Sequence, residues 1–148
     1  MKIKEFLSPS DVLIDFRARD KLGLLRDLSS RAASAQKMPA DAVAHESVKR
    51  DELGSTGIGR GVCMPHARLR AVNEPYGLLT RLRYLIDFDA VDGQLVDIVF
   101  LLLLPASSQL DQLHALAAAA RKLRETELLH NLRAAATGAE MFAVITSG

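Results

Sequence analysis

The four histidines are the side chains of this sequence best suited to nucleophilic or acid–base chemistry at neutral pH. His66 directly follows Pro65 and a glycine-rich segment, whereas His114 lies within a helical pattern. His45 and His130 lie away from the apolar stripes of their predicted helices, so they are predicted to be solvated surface residues. His66 is the main candidate for function because glycines, hydroxyls and arginines surround it in the sequence.

The segment from residue 53 to residue 73 combines features that would bind an anion. It contains three arginines (Arg60, Arg68 and Arg70), four glycines, the adjacent hydroxyls of Ser55 and Thr56, and no acidic residue. Residues 54–61 are too rich in glycine for regular structure and predict an irregular loop. Backbone N–H groups of such a loop, together with hydroxyls, can enclose a negatively charged group. The segment contains neither the Gly-Lys-Ser/Thr of a Walker loop nor the Gly-x-Gly-x-x-Gly motif of dinucleotide-binding loops. The segment therefore predicts a site for a bare phosphoryl group rather than for a nucleotide.

A helix is predicted from about Gln109 to Leu123, and it contains His114. At 100° per residue, its apolar face would be formed by Leu113, Leu116, Ala117, Ala120 and Leu123. His114 then falls at the polar edge, which by itself predicts a surface residue. No carboxylate lies at ligand spacing from His66, so the sequence predicts no metal site built from His66 and His114.

The single cysteine, Cys63, excludes an intramolecular disulfide and any zinc or iron–sulfur site built from several cysteines. By strand alternation, Cys63 points away from the sheet face of His66 and is predicted to be a small buried hydrophobe. A serine hydrolase is disfavoured because the sequence has no Gly-x-Ser-x-Gly elbow.

Composition narrows the class of protein further. The chain has 148 residues, a formal net charge of +1 and only 5% aromatic residues, which gives no case for nucleic-acid binding. Its longest apolar run, 98–104, is far shorter than the roughly 20 residues that cross a bilayer. The N-terminus lacks the apolar core of a signal peptide. These features predict a single cytoplasmic domain over residues 1–148, without membrane insertion.

The elements that must position the candidate residues follow from periodicity and capping signals. The predicted order is one strand, two helices, three strands and three helices: a strand at 12–16, helices at about 20–35 and 40–53, strands at 62–64, 77–86 and 96–104, and helices after Ser108, Glu125 and Thr137. The strand 96–104 contains the unbroken apolar run 98–104, which predicts a central strand covered on both faces. Helices before and after a buried strand predict an α/β protein, a three-layer α/β/α sandwich with a mixed sheet.

Two blocks of sequence resemble a known family. The segment 50–59, followed by 61–68, resembles the motif of type 2 enzyme IIA domains, the fructose, mannitol and nitrogen-regulatory class of the bacterial phosphoenolpyruvate phosphotransferase system. A second block matches at 86–93, 96–102 and 113–114. The resemblance covers essentially the whole chain and is greatest to the nitrogen-regulatory branch. Cys63, where small or aliphatic residues are usual, is a mild departure.

The resemblance implies a role for particular residues. His66 corresponds to the phosphoryl-accepting histidine, His114 to a second active-site histidine and Arg50 to an active-site arginine. The loop residues implied to lie beside the phosphate are Ser55, Thr56 and Gly57. Transfer of a phosphoryl group between histidines requires positioning and charge stabilisation, so neither a metal nor another cofactor is implied.

The resemblance also implies partners. The phosphoryl donor would be an HPr-like histidine phosphocarrier, and the phosphorylation state would regulate nitrogen- or potassium-linked targets such as potassium transport or sensor kinase components. The alternative is a IIA component that passes phosphate to a IIB protein during uptake of a fructose- or mannitol-type sugar. The lack of a IIB or membrane segment in this sequence favours regulation. Whether the chain forms a homodimer is left open.

Overall fold

A six-stranded mixed sheet organises the chain, and the computed structural model describes residues 1–147. Two short 3-10 turns, Ile3–Glu5 and Pro9–Asp11, precede the first strand. The elements that follow are β1 (Val12–Phe16), α1 (Lys21–Gln36), α2 (Ala40–Glu52), β2 (Gly57–Gly59), β3 (Val62–Cys63), β4 (His66–Leu69), β5 (Tyr76–Ile86), β6 (Val96–Pro105), α3 (Gln109–Leu123), α4 (Thr126–Ala134) and α5 (Gly138–Thr146).

The strand β6 is the centre of the sheet. The strands are ordered β1-β5-β6-β3-β2, and β4 also pairs with β6, further along it than β3. The pairing of β5 with β6 is antiparallel, whereas β3 and β4 run parallel to β6. The first residue of β4, His66, is in register with Leu102. The sheet is therefore mixed, and its central strand directly supports the strand that carries His66.

Apolar clusters on both faces of the sheet show that it is the middle of three layers. Side chains of β6 alternate between them: Ile98, Phe100, Leu102 and Leu104 join residues of α3, α4 and α5, whereas Val99, Leu101 and Leu103 join residues of α1 and α2. This double burial explains why residues 98–104 are all apolar. The predicted α/β fold with a mixed sheet is confirmed, and helices cover both of its faces.

The structure adds two short strands, β2 and β4, to the three predicted between the helices. The prediction that 54–61 is an irregular loop was wrong for Gly57–Gly59, because Arg60 (φ 59°) and Gly61 (φ 78°) form a tight turn that pairs β2 with β3. Pro65 does end β3, but its carbonyl accepts a hydrogen bond from the Leu102 amide (3.0 Å), so the chain stays beside β6 and continues as β4.

The helix boundaries follow the predicted capping residues. Asp20 accepts a hydrogen bond from the Gly23 amide (2.8 Å) at the start of α1, and Ser108 accepts one from the Asp111 amide (3.3 Å) at the start of α3. No helix within residues 1–147 is long and apolar enough to cross a membrane.

The predicted buried face of α3 was wrong in part: Leu123 is buried and Leu116 and Ala120 pack against the core, but Leu113 and Ala117 are exposed. Leu113 was expected in the core, yet 64% of it is exposed. The buried residues are Gln112, Ala115, Ala118, Ala119 and Leu123. Small alanine side chains let the helix lie close to the sheet, and this packing rotates the larger leucines of its first turns towards solvent. His114 consequently lies on an exposed face that also presents apolar side chains.

Candidate functional site

His66 is held in one orientation by its own backbone neighbourhood. It is the first residue of β4, its side chain is largely buried, and its Nδ1 lies 3.0 Å from the Met64 carbonyl oxygen. A carbonyl oxygen only accepts hydrogen bonds, so the neutral ring carries its proton on Nδ1. The lone pair of the imidazole is therefore on Nε2, which makes Nε2 the nucleophilic atom.

The surroundings of His66 favour its neutral form. Burial lowers the pKa of the ring below the usual 6.5, and the nearby charges of Arg50 and Arg68 lower it further. The Met64 carbonyl raises the pKa but does not outweigh the other effects. At neutral pH the ring is therefore uncharged and able to attack an electrophile.

A cleft of about 190 Å³ opens beside His66, between α2 and β4. Its lining residues are Glu46, Lys49, Arg50, Leu53, His66 and Arg68. Three of these side chains are cations and one is an acid, so the cleft favours an anion over a cation. It also places a neutral imidazole beside positive charge, which is the arrangement that transfer of a phosphoryl group requires.

Arg50 joins the cleft to the glycine loop. It lies in the last turn of α2, is half-buried and donates a hydrogen bond from its guanidinium to the Gly54 carbonyl (3.0 Å). An arginine has five N–H donors in a planar group, so this one bond leaves donors for a ligand in the cleft. The bond also fixes where those donors lie. Arg50 is therefore both a cleft residue and a support for the loop that follows α2.

The loop residues Ser55, Thr56 and Gly57 are bonded to the protein itself. The Ser55 hydroxyl donates to the Phe88 carbonyl (2.8 Å) and accepts a hydrogen bond from the Gly57 amide (3.1 Å). The amide and hydroxyl of Thr56 both donate to Oδ1 of Asp51, at 3.3 and 3.2 Å. None of the three loop residues is among those lining the His66 cleft in the described chain. Their contact with a phosphate stays a prediction.

His114 lies in the second turn of α3 and is exposed. α3 packs on the face of β6 opposite to α1 and α2, whereas the cleft that His66 lines is formed by residues of α2, β4 and Leu53. Within residues 1–147, no hydrogen bond joins the two imidazoles and His114 does not line the cleft. Their joint action stays a prediction.

The arginines that the sequence groups together separate in the structure. Arg68 lines the cleft, and Arg70 is exposed just after β4. Arg60 instead donates from its guanidinium to the Arg124 carbonyl (2.8 Å) and to the Thr126 hydroxyl (2.9 Å). It fastens the β2–β3 turn to the junction of α3 and α4. Of the three arginines that the sequence groups together, only Arg68 lines the cleft in the described chain.

Sequence reasoning missed the contribution of α2 to the cleft. Glu46, Lys49 and Leu53 line it together with Arg50, and they follow one another at spacings of three or four residues. Such residues share one face of a helix. This spacing around Arg50 was the signal that could have identified them.

The predicted environments of three further side chains, Cys63, His45 and His130, are confirmed. Cys63 is completely buried, and burial raises the pKa of its thiol well above the usual value. His45 and His130 are exposed. Among residues 1–147, no group of three His, Cys, Asp or Glu side chains is placed to hold a metal ion.

Comparison with known proteins decides the family. Residues 5–148 match the family described as "Phosphoenolpyruvate-dependent sugar phosphotransferase system, EIIA 2". The chain belongs to this EIIA 2 family. It is 36% identical over 145 residues to a nitrogen regulatory protein of Bradyrhizobium diazoefficiens, covering 98% of this chain and 95% of that protein. It is also 36% identical over 133 residues to a nitrogen regulatory protein of Escherichia coli, covering 86% and 79% of the two chains.

Solved structures of EIIA proteins share the fold. The crystal structure of the nitrogen regulatory protein IIA-Ntr from Neisseria meningitidis superposes with a TM-score of 0.92 at 29% identity, covering 97% of this chain and 99% of that one. The mannitol IIA of Escherichia coli superposes with a TM-score of 0.76 at 12% identity, covering 92% and 96%. The second likeness concerns the fold alone.

Proposed function

We propose that this EIIA protein carries a phosphoryl group on Nε2 of His66, received from an HPr-like histidine phosphocarrier. The observation that carries the proposal is the His66 ring itself, which is neutral, oriented through Nδ1 by the Met64 carbonyl and placed beside the cations of the cleft. We assign Arg50 and His114 to stabilising the transferred group, and Ser55, Thr56 and Gly57 to the phosphate-binding loop. Phosphoenolpyruvate is an intracellular metabolite, so a cytoplasmic location belongs to the same proposal.

The chemistry is an exchange of one N–P bond for another. The lone pair on Nε2 attacks phosphorus as the N–P bond of the donor phosphohistidine breaks, and the bonding electrons return to the donor nitrogen. Positive charge develops on the His66 ring, where the Met64 carbonyl stabilises it through the Nδ1–H bond. Arg50 and Arg68 stabilise the phosphoryl oxygens, which carry negative charge throughout the transfer.

A direct labelling experiment tests this assignment. Incubation with phosphoenolpyruvate, enzyme I and an HPr-like carrier is expected to add one phosphate, labile in acid and stable in alkali. His66→Gln is expected to abolish labelling, whereas His45→Gln, at an exposed histidine of α2, is the matched control and is expected to label fully. Full labelling of His66→Gln, or labelling of another residue in the native protein, would overturn the proposal.

We further propose a regulatory output, in which the phosphorylated and unmodified forms bind different nitrogen- or potassium-linked targets. The similarity to nitrogen regulatory proteins over nearly the full chain supports this choice. In a pulldown from lysate with the immobilised phosphorylated and unmodified proteins, a target such as a potassium transport or sensor kinase component is expected to be retained by one form only. Equal retention by both forms would contradict a regulatory output.

The alternative output is delivery of the phosphate to a IIB protein. A fructose-like EIIA component of Escherichia coli is 34% identical to this chain over 84 residues. A chain in the solved complex of mannitol IIA with phosphorylated IIB shares the fold of this chain, with a TM-score of 0.78. Transfer of phosphate from the labelled protein to an added fructose- or mannitol-type IIB, at a rate comparable to its labelling, would favour this alternative.

A further inference from the structure

An ion pair with a buried carboxylate lies behind the loop that follows α2. Nζ of Lys21, the first residue of α1, lies 2.7 Å from Oδ2 of Asp51, whose side chain is only 5% exposed. The same ammonium group lies 3.0 Å from the exposed carboxylate of Asp89 and 5.6 Å from the centre of the Phe88 ring. Asp51 is thus a buried carboxylate whose charge is balanced by a residue of another helix.

A continuous series of hydrogen bonds leads from this ion pair to His66. Oδ1 of Asp51 accepts hydrogen bonds from the amide and hydroxyl of Thr56. The Thr56 carbonyl accepts one from the Met64 amide (2.9 Å), and the Met64 carbonyl lies 3.0 Å from Nδ1 of His66. The links that join Asp51 to Thr56 and Thr56 to Met64 use backbone groups, and the last link joins a backbone carbonyl to the imidazole ring. The series ends at the atom that fixes the tautomer of His66.

We propose that Lys21 is a positioning residue for His66, acting through the charge of Asp51 and the backbone of Thr56 and Met64. The inference rests on the phosphocarrier function proposed above. Lys21 does not line the His66 cleft, so its influence is indirect. It joins the start of α1 to the last turn of α2, next to the loop that leads into β2.

The physical reason is the cost of leaving a buried carboxylate without its partner. Removing one member of a buried ion pair is strongly destabilising because the remaining charge is neither hydrated nor paired. Without Lys21, the Asp51 carboxylate loses its counter-ion and is expected to turn towards water. This movement weakens the two bonds that Asp51 accepts from Thr56, and Met64 then loses the support of the Thr56 carbonyl.

The first test replaces the charge and keeps the length of the side chain. Lys21→Met is expected to slow phosphorylation of His66 by about tenfold, since small displacements of a reacting group have effects of this order or larger. ¹⁵N NMR of the imidazole should show a mixture of tautomers in place of a single Nδ1–H form. Lys37→Met, at the opposite end of α1 and exposed, is the matched control and should behave as the native protein. Lys21→Arg, which keeps the charge, should recover the native rate within about threefold.

A second set of variants separates charge balance from general stability. Asp51→Asn keeps an oxygen that can accept from Thr56 but removes the charge that requires Lys21. In the double variant Lys21→Met/Asp51→Asn no uncompensated charge is buried, so it should fold, transfer phosphate faster than Lys21→Met and regain a single His66 tautomer. A double variant that is no faster than Lys21→Met, or a Lys21→Met protein with native rate and tautomer, would overturn the inference.

The same experiments distinguish this inference from the proposed function. If the native protein is labelled on His66 and Lys21→Met is indistinguishable from it, only the positioning role fails. If the native protein is not labelled on His66, the phosphocarrier function fails, and with it the role of Lys21 in phosphoryl transfer. The imidazole tautomer of Lys21→Met then still reports whether the hydrogen-bond series reaches His66.

Discussion

The two candidate histidines of this protein occupy opposite kinds of environment. His66 starts a strand, is largely buried and has Nδ1 committed to a backbone carbonyl. His114 is exposed on α3, beside Leu110 and Leu113, which are 61% and 64% exposed. One ring is oriented by the protein itself, whereas the other lies on a surface that a partner can cover.

This difference indicates a division of labour in the proposed transfer. A nucleophile must have a fixed tautomer before the donor arrives, and burial beside a carbonyl provides it. A residue that stabilises the transferred group can be ordered later, when docking of the donor excludes water and strengthens its interactions. His66 is therefore expected to define the site in the free protein, and His114 to act mainly in the complex.

The largest expected effect among the remaining variants is that of His114→Gln. Loss of the imidazole donor should slow phosphorylation of His66 by about a hundredfold. Because the residue is exposed, the free energy of unfolding should change by less than about 0.5 kcal/mol. Rapid-quench labelling and thermal unfolding measure the two quantities. His130→Gln, at an exposed histidine of α4, is the control. Unfolding of His114→Gln would show that His114 is structural, and labelling and discharge at the native rate would show that it has no part in transfer.

Two arginine variants test whether phosphoryl transfer depends on Arg50 in the cleft while Arg60 contributes only to stability. Arg50→Gln removes a cleft cation and should slow labelling by about tenfold with a modest loss of stability. Arg60→Gln removes two hydrogen bonds at the α3–α4 junction and should lower the free energy of unfolding by about 1 kcal/mol, with a native labelling rate. Labelling assays and denaturant unfolding of both proteins provide the comparison. The reverse pattern would place Arg60 rather than Arg50 in the site.

The positions of Arg68 and Arg60 in the structure show how far the sequence could predict the site. Proximity along the chain correctly associated Arg68 with His66, since residues two apart on a strand share a face. It failed for Arg60, because the tight turn at 60–61 directs that side chain to helices that come much later in the sequence. The apolar run of β6 and the helix caps depend on local patterns and were predicted well. The strand β4 depends on pairing with β6 after a proline, which no local pattern encodes.

The exposed leucines of α3 illustrate a second limit. Large apolar residues were assigned to the core because burying them is favourable, yet α3 buries alanines instead. Which face packs is decided by how closely the helix approaches the sheet, a property of the tertiary structure. An exposed apolar pair next to His114 is therefore informative about function, since apolar patches on a surface mark sites of interaction.

A smaller effect is expected on the pH dependence of labelling. Burial, Arg50 and Arg68 lower the pKa of His66, so the ring should stay neutral and the rate flat between pH 8 and 7. The rate should fall only as the pH drops through a midpoint below 6.5, where protonation removes the Nε2 lone pair. Arg68→Gln removes one cause of the lowered pKa and should move the midpoint upwards. NMR titration of His66 measures it, and a midpoint above 6.5 in the native protein would contradict the described environment.

The smallest change is expected in the backbone. Phosphorylation of His66 adds negative charge beside Arg50 and Arg68, in a protein whose formal net charge is only +1. A partner that docks on the unmodified surface then meets a changed local potential, so it can be released without any movement of the fold. Amide shifts in two-dimensional NMR spectra should therefore concentrate around residues 50–70 and 105–118. Widespread shifts in α1 beyond its first turn and in α5 would indicate a global conformational switch, and release by local electrostatics would be wrong.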